Sequence, residues 1–142
     1  MAHAVMNKFK AENMKGNVAL DSDTLKVALI DNIFGSSSTD QLDNLDYWDD
    51  ISATWEITGT NYSANGETLL NTAVSESDSS NWGSLSADNV TWSNATLTSY
   101  GCAIYRSSDR LLVCLIDFGG AKSATAGDFT ISWSANGILN LT

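Results

Sequence analysis

The chain has 142 residues and a formal charge of −10, from seventeen Asp and Glu against seven Lys and Arg. That length suits one domain, residues 1–142, able to bury roughly 68–70% of the surface its unfolded chain exposes. The acidic excess argues against nucleic acid, whose phosphates need a basic stripe, and against adsorption to an anionic membrane.

Residues 1–16 read as an N-terminal helix or arm. "AVMNKFKAENMKG" spaces Val5, Met6, Phe9 and Met14 at helical intervals, with Gly16 as a C-terminal stop. The charge is uneven: Lys8, Lys10, Lys15 and Lys26 precede a run from Val27 to Tyr105 with no Lys or Arg. Such a start either meets a partner different from what the body faces or is a solvated helix face. No apolar h-region precedes it, so no export signal is expected, and the two cysteines belong in a reducing cytoplasm as thiols. The sequons at Asn61, Asn89, Asn94 and Asn140 are then unglycosylated.

"DSDTLKVALIDNIF" predicts a strand in which Leu25, Val27 and Leu29 alternate with Lys26 and Ala28. The polar loop "GSSSTDQLDNLDYWDDIS" follows. Leu42, Leu45, Trp48 and Ile51 step through it by three, which predicts one or two helical turns around 42–50. "ATWEITG" predicts a strand with Trp55 and Ile57 on one face. Asn65-Gly66 predicts a hairpin corner, since both residues tolerate positive φ.

"VSESDSSNWGSLSADN" reads as a second polar loop, carrying Trp82 and Leu85; "VTWS" and "ATLTSYGCAIY" read as separate strands. In "GCAIYRSSDRLLVCLIDFG" two apolar runs flank a polar break. A three-residue turn with Arg106 opposite Arg110 would set Cys102 opposite Cys114. Cys102, Ile104, Leu112, Cys114 and Ile116 then share one face, and Ala103, Tyr105, Leu111, Val113 and Leu115 the other. A hairpin apolar on both faces is either central within the monomer or covered by another subunit. "GGAKSATAGD" reads as a turn-rich link, and "FTISWSANGILNLT" as a final hairpin turned at Asn136-Gly137. The pattern predicts a mainly β fold, an antiparallel β-sandwich or jelly-roll-like barrel with a short N-terminal helix.

Chemistry-bearing constellations are sparse. Two thiols do not make a tetrahedral zinc site, and the only histidine is His3. No Cys-x-x-Cys marks a redox centre, so the cysteines read as buried thiols, with a cross-strand disulfide the alternative. Asp43, Asp46, Asp49 and Asp50 lack the spacing of a calcium loop and suit a solvated helical face. No nucleophile–histidine pair and no Gly-rich phosphate loop is present. The reading is therefore not an enzyme, with no catalytic residue, cofactor or metal. Among five tryptophans, Trp55, Trp92 and Trp133 lie on alternating apolar faces and suit a core. Trp48 and Trp82 fall in loops and are candidate partner contacts.

"NKFKAEN…LDSDTLKVALID", "GTNYSANGETL", "DNVTWSNATLT", "AIYR" and "CLIDFGGAKSATAGDFTISWSANGILNL" run in order through nearly the whole chain. In these phrases the chain resembles a family of small virion structural proteins of tailed bacteriophages, the closest analogy being their cement, or head-decoration, proteins. The resemblance implies a non-enzymatic protein, made in the bacterial cytoplasm, that binds the outside of a capsid lattice. Its implied partners are the major capsid protein and copies of itself, as a trimer or dimer. The region "NIFGSSSTDQLDNLDYWDD" departs from the pattern. Candidate capsid or subunit contacts are Lys8, Phe9, Lys10, Lys15, Trp48 and Trp82. The rival readings are a tail or head-to-tail adaptor component and a glycan-binding host-attachment module.

Overall fold

A computed structural model describes residues 3–35 and 42–142. The protein is mainly β, with two antiparallel sheets in a sandwich-like arrangement and a short N-terminal helix. The larger sheet contains β1 (Ala4–Val5), β2 (Leu25–Ile30), β3 (Glu67–Thr68), β6 (Val90–Arg106) and β7 (Leu112–Ile131), in the order β1-β7-β6-β2-β3. The smaller contains β4 (Ala73–Ser77), β5 (Trp82–Ser86) and β8 (Leu139–Leu141), in the order β4-β5-β8. Helix α1 spans Asn7–Met14 and ends where Gly16 turns left-handed at φ 79°, the stop its sequence predicts.

The β6–β7 hairpin is the spine. Residues 101–105 and 111–116 are buried without exception, and β1 and β2 flank them on either side. Both faces are covered from within the chain. Met6 and Phe9 are fully buried in the same apolar cluster, and Trp48 stacks on Tyr105 with ring centroids 5.3 Å apart. Phe34 fills the space a side chain at position 101 would occupy, so Gly101 is required there. Of the two readings of this doubly apolar hairpin, the structure adopts the central strand pair.

Its register differs from the expected one by two residues. Cys102 faces Ile116, and Ile104 faces Cys114. One residue comes from the turn: Arg110 adopts φ 63°, and the Arg106 N–H donates to the Leu111 carbonyl, so four residues close it. The other comes from an irregularity between Ile104 and Tyr105. Beyond that irregularity the slip of two preserves the faces, so Cys102, Ile104, Cys114 and Ile116 still share one; on the turn side the slip is one, and Tyr105 faces Leu112, expected on the opposite face. Both cysteines are free and fully buried. Burial pushes the Cys102 thiol well up and the Cys114 thiol up to about 12, so neither is a thiolate nucleophile.

Several elements depart from the sequence reading. The expected strand over 53–59 is instead a single helical turn, α2 (Ser52–Trp55), preceded by a 3-10 turn at Trp48–Asp50. The short helical turns expected over 42–50 are thus met at its end, while residues 36–41 of that loop lie outside the described residues. Asn65 and Gly66 do take positive φ, 72° and 73°. The hairpin expected at this corner does not form; the turn instead lays β3 antiparallel on β2, with Gly66 packed against the Val27 carbonyl. The second polar loop is the β4–β5 hairpin, and "VTWS" and "ATLTSYGCAIY" are one bulged strand. "GGAKSATAGD" is part of β7, its bends taken up by Gly119, Gly120 and Ala126 at positive φ. The chain turns at Asn136-Gly137 as expected, but β8 then pairs with β5 instead of returning on β7. That crossing joins the two sheets.

Candidate functional site

The outward face of α1 is the first surface. Met6 and Phe9 anchor the helix, the Met6 N–H donating to the Val113 carbonyl and the Asn7 N–H to the Asp43 carbonyl. Phe9, expected as a contact, is therefore core. Lys10 and Lys15 are exposed and Lys8 half-buried, and between them Met14 is 82% exposed. Lys8 lies 5.3 Å from the centre of the Tyr47 ring, and attraction and hydrogen bonding to Tyr47 hold its ammonium pKa above the usual value, with Asp46 adding to it. Lys15 pairs with Glu12 at 3.0 Å. Glu12 is held below the usual carboxylate range first by the Asn17 amide and then by Lys15. The result is an anchored helix whose outward side carries lysines and an exposed methionine, with Glu12 among them, on an acidic molecule.

The second feature is a polar hub around Asn65. Trp48, expected as a loop contact, is fully buried; its Nε1 donates to the Asn65 side-chain oxygen at 3.1 Å, and Arg110 donates to the same atom at 3.1 Å. The Tyr105 hydroxyl donates to the Asn65 carbonyl, while the Asn65 N–H donates to Glu56. Glu56 also accepts from the Tyr62 hydroxyl at 2.8 Å, and that hydroxyl accepts from the Leu29 N–H at 3.0 Å. Burial pushes the Tyr105 phenol up to about 12 and raises that of Tyr62 as well. Both stay protonated donors near neutral pH, and the hub pins residues 47–66 onto the central sheet.

Sheet edges form the third surface. Along β7 runs a groove of about 430 Å³ lined by Ile116, Phe118, Phe129 and Ile131, with Lys122 and Asp117 at its margin. A smaller one, about 190 Å³, lies between Glu67, Leu70 and Val90. Trp82 is half-buried at the start of β5, opposite Ser77 near the tip of the β4–β5 hairpin. Of the residues expected to meet partners, Lys8, Lys10, Lys15 and Trp82 thus retain accessible surface, and Phe9 and Trp48 do not. The sequence reading missed Met14, Lys122 and the aromatic groove. The available signal was Lys122, the only cation after Arg110.

Among the described residues no three His, Cys, Asp or Glu side chains converge to hold a metal ion. Among them, too, no helix is long and apolar enough to cross a membrane. Comparison with protein-family models, with curated proteins and with solved structures finds no match to this chain.

Proposed function

We propose that this protein is a non-enzymatic structural protein of a tailed-phage virion, a cement protein that binds the outer capsid surface and stabilises the head. The motif order along the chain supports the reading, and so does one observation above all. A chain of net charge −10 concentrates Lys8, Lys10, Lys15 and the exposed Met14 on one firmly anchored helix. Such a surface suits an acidic patch of the major capsid protein with an apolar pocket for the methionine. Many identical sites on a lattice then multiply a modest contact, while the acidic body keeps any association between free copies weak. Partners are the major capsid protein and further copies of the chain, and the location is the capsid exterior.

Deleting residues 1–16 is a poor test, because Met6 and Phe9 belong to the core. The charge-reversed variant K8E/K10E/K15E keeps them. Mixed with heads that lack the protein and sedimented, it is expected to lose occupancy by about tenfold or more relative to the wild type. Equal occupancy overturns the docking face. Wild-type protein that binds purified tails and not heads replaces the cement reading with that of a tail or adaptor component.

A further inference from the structure

Among the described residues, β1, β3, β4 and β8 each pair on one side only, and β7 runs on past the end of β1; two of these open edges, on β7 and β4, are the longest. β1 covers β7 only at Cys114 and Leu115, so the outer edge of β7 is open over residues 117–131; β4 is open on the side away from β5. Unpaired edges template further strands unless charge, bulges or brevity block them. The two differ in chemistry. No β6 residue lines the large groove, which runs from Ile116 to Ser132 along β7. Lys122 at its margin forms no ion pair with any described carboxylate, and Asp117 turns back to accept the Gly119 N–H at 2.8 Å. β4 instead offers the exposed Val74 at 52%, with Leu70 at 62% three residues before the strand, followed by the exposed acids Glu76 and Asp78.

We propose that the β4 edge of one copy docks on the β7 edge of a second copy, with Val74 and Leu70 entering the Phe118–Phe129 groove and Glu76 meeting Lys122. An edge lysine repels a cationic or neutral strand and accepts an acidic one, so the same residue that protects the edge selects its occupant. The contact is heterologous, each copy giving one edge and receiving the other, and it therefore propagates into a ring or a filament. A five-residue strand buries less than the roughly 1,000 Å² of a stable interface, so a single contact is weak and closure or a lattice supplies the rest. This gives a geometry to the self-association included in the virion reading, yet it is tested on free protein and does not depend on capsid binding.

Sedimentation velocity over a concentration series of the purified chain decides it, with amide hydrogen exchange at the two ends of that series. Wild-type protein is expected to associate reversibly, with protection at residues 73–77 and 117–131 growing together. Lys122→Glu and Glu76→Lys are each expected to weaken association about tenfold, and K122E/E76K to restore it to within about threefold. Lys122→Glu and Glu76→Lys change the net charge in opposite senses, so a loss shared by both is not a net-charge effect. Both altered residues are exposed, and thermal melts check that the variants fold. A strictly monomeric wild type overturns the proposal. So does association indifferent to the single variants, a double variant that stays dissociated, or concentration-dependent protection at neither edge. Capsid binding that survives any of these results leaves the virion reading intact.

Discussion

Within one pair of strands, β6 and β7, the two ends are built differently. At residues 101–105 and 112–116 every side chain is buried, and the flanking strands and the Trp48 segment close both faces. At residues 90–99 burial alternates, with Val90, Trp92, Leu97 and Ser99 inward and Thr91, Ser93, Thr96 and Thr98 in solvent. There the outward hydroxyls pair across strands, Thr91 with Thr130 at 2.9 Å and Thr98 with Ser123 at 2.8 Å. Ser99 marks the change. It is fully buried, its hydroxyl in reach of the Ile30 carbonyl at 3.0 Å and the Gly101 carbonyl at 2.8 Å, where β2 stops and a bulge begins. One end supplies stability and the other supplies surface.

The largest effect expected from that division is at the buried end. Trp48→Ala removes the stack on Tyr105 and the Nε1 bond to Asn65. It is expected to cost about 3–5 kcal/mol in chemical denaturation, the range for truncating a buried aromatic. A loss under 1 kcal/mol would mean that the Trp48 segment does not close this face.

A pair of glycines sharpens the contrast. A Cβ at Gly101 collides with the Ile116 carbonyl and the Phe34 ring, whereas one at Gly127 meets nothing nearer than the Thr125 carbonyl at 3.7 Å. Gly101→Ala is expected to cost about 1–3 kcal/mol, and Gly127→Ala to stay within about 0.5 kcal/mol. Similar losses in the two melts would erase the distinction between the ends.

Titration gives the smallest effect. The folded-state pKa of Tyr105 is raised by burial from an ordinary value near 10 to about 12, and that of Cys114 likewise to about 12. Each group is neutral when folded, so its contribution is complete below the unfolded-state value. It is lost as pH rises from that value through about 12. Melting temperature is expected to hold from neutral pH to about 8 and then fall, first from the thiols and above 10 from the phenols. Thiol labelling is expected to proceed only on unfolding. Rapid labelling of the folded chain at neutral pH would contradict the sealed spine.

Much of the spine was legible in the sequence, because unbroken apolar runs around "RSSDR" leave no face for water. The same logic located β2 and the α1 stop at Gly16. The β4–β5 hairpin was not legible. Its residues are mostly Ser, Asp, Asn and Glu, only Leu85 is buried within it, and its pairing is decided by β8 arriving from far along the chain. Trp55 misled for a related reason: "ATWEI" alternates like a strand, but the Trp55 N–H closes a helical turn on the Ile51 carbonyl. Of the site, the cationic helix was visible as a charge asymmetry. Which of its residues faced outward was not, since Phe9 and Met14 look alike in sequence and only packing sends one into the core. The β7 groove was hidden because "GGAKSATAGD" carries turn residues that the strand absorbs as bulges.

The proposed role rests on coverage: a protein that works by lining a shell must be present wherever the shell is. Copy number per particle, measured on intact virions and on tailless heads by quantitative gel staining, tests this most directly. Hundreds of copies retained on tailless heads are predicted, in keeping with a lattice of repeated weak sites. About a dozen or fewer per virion, absent from heads without tails, would contradict it.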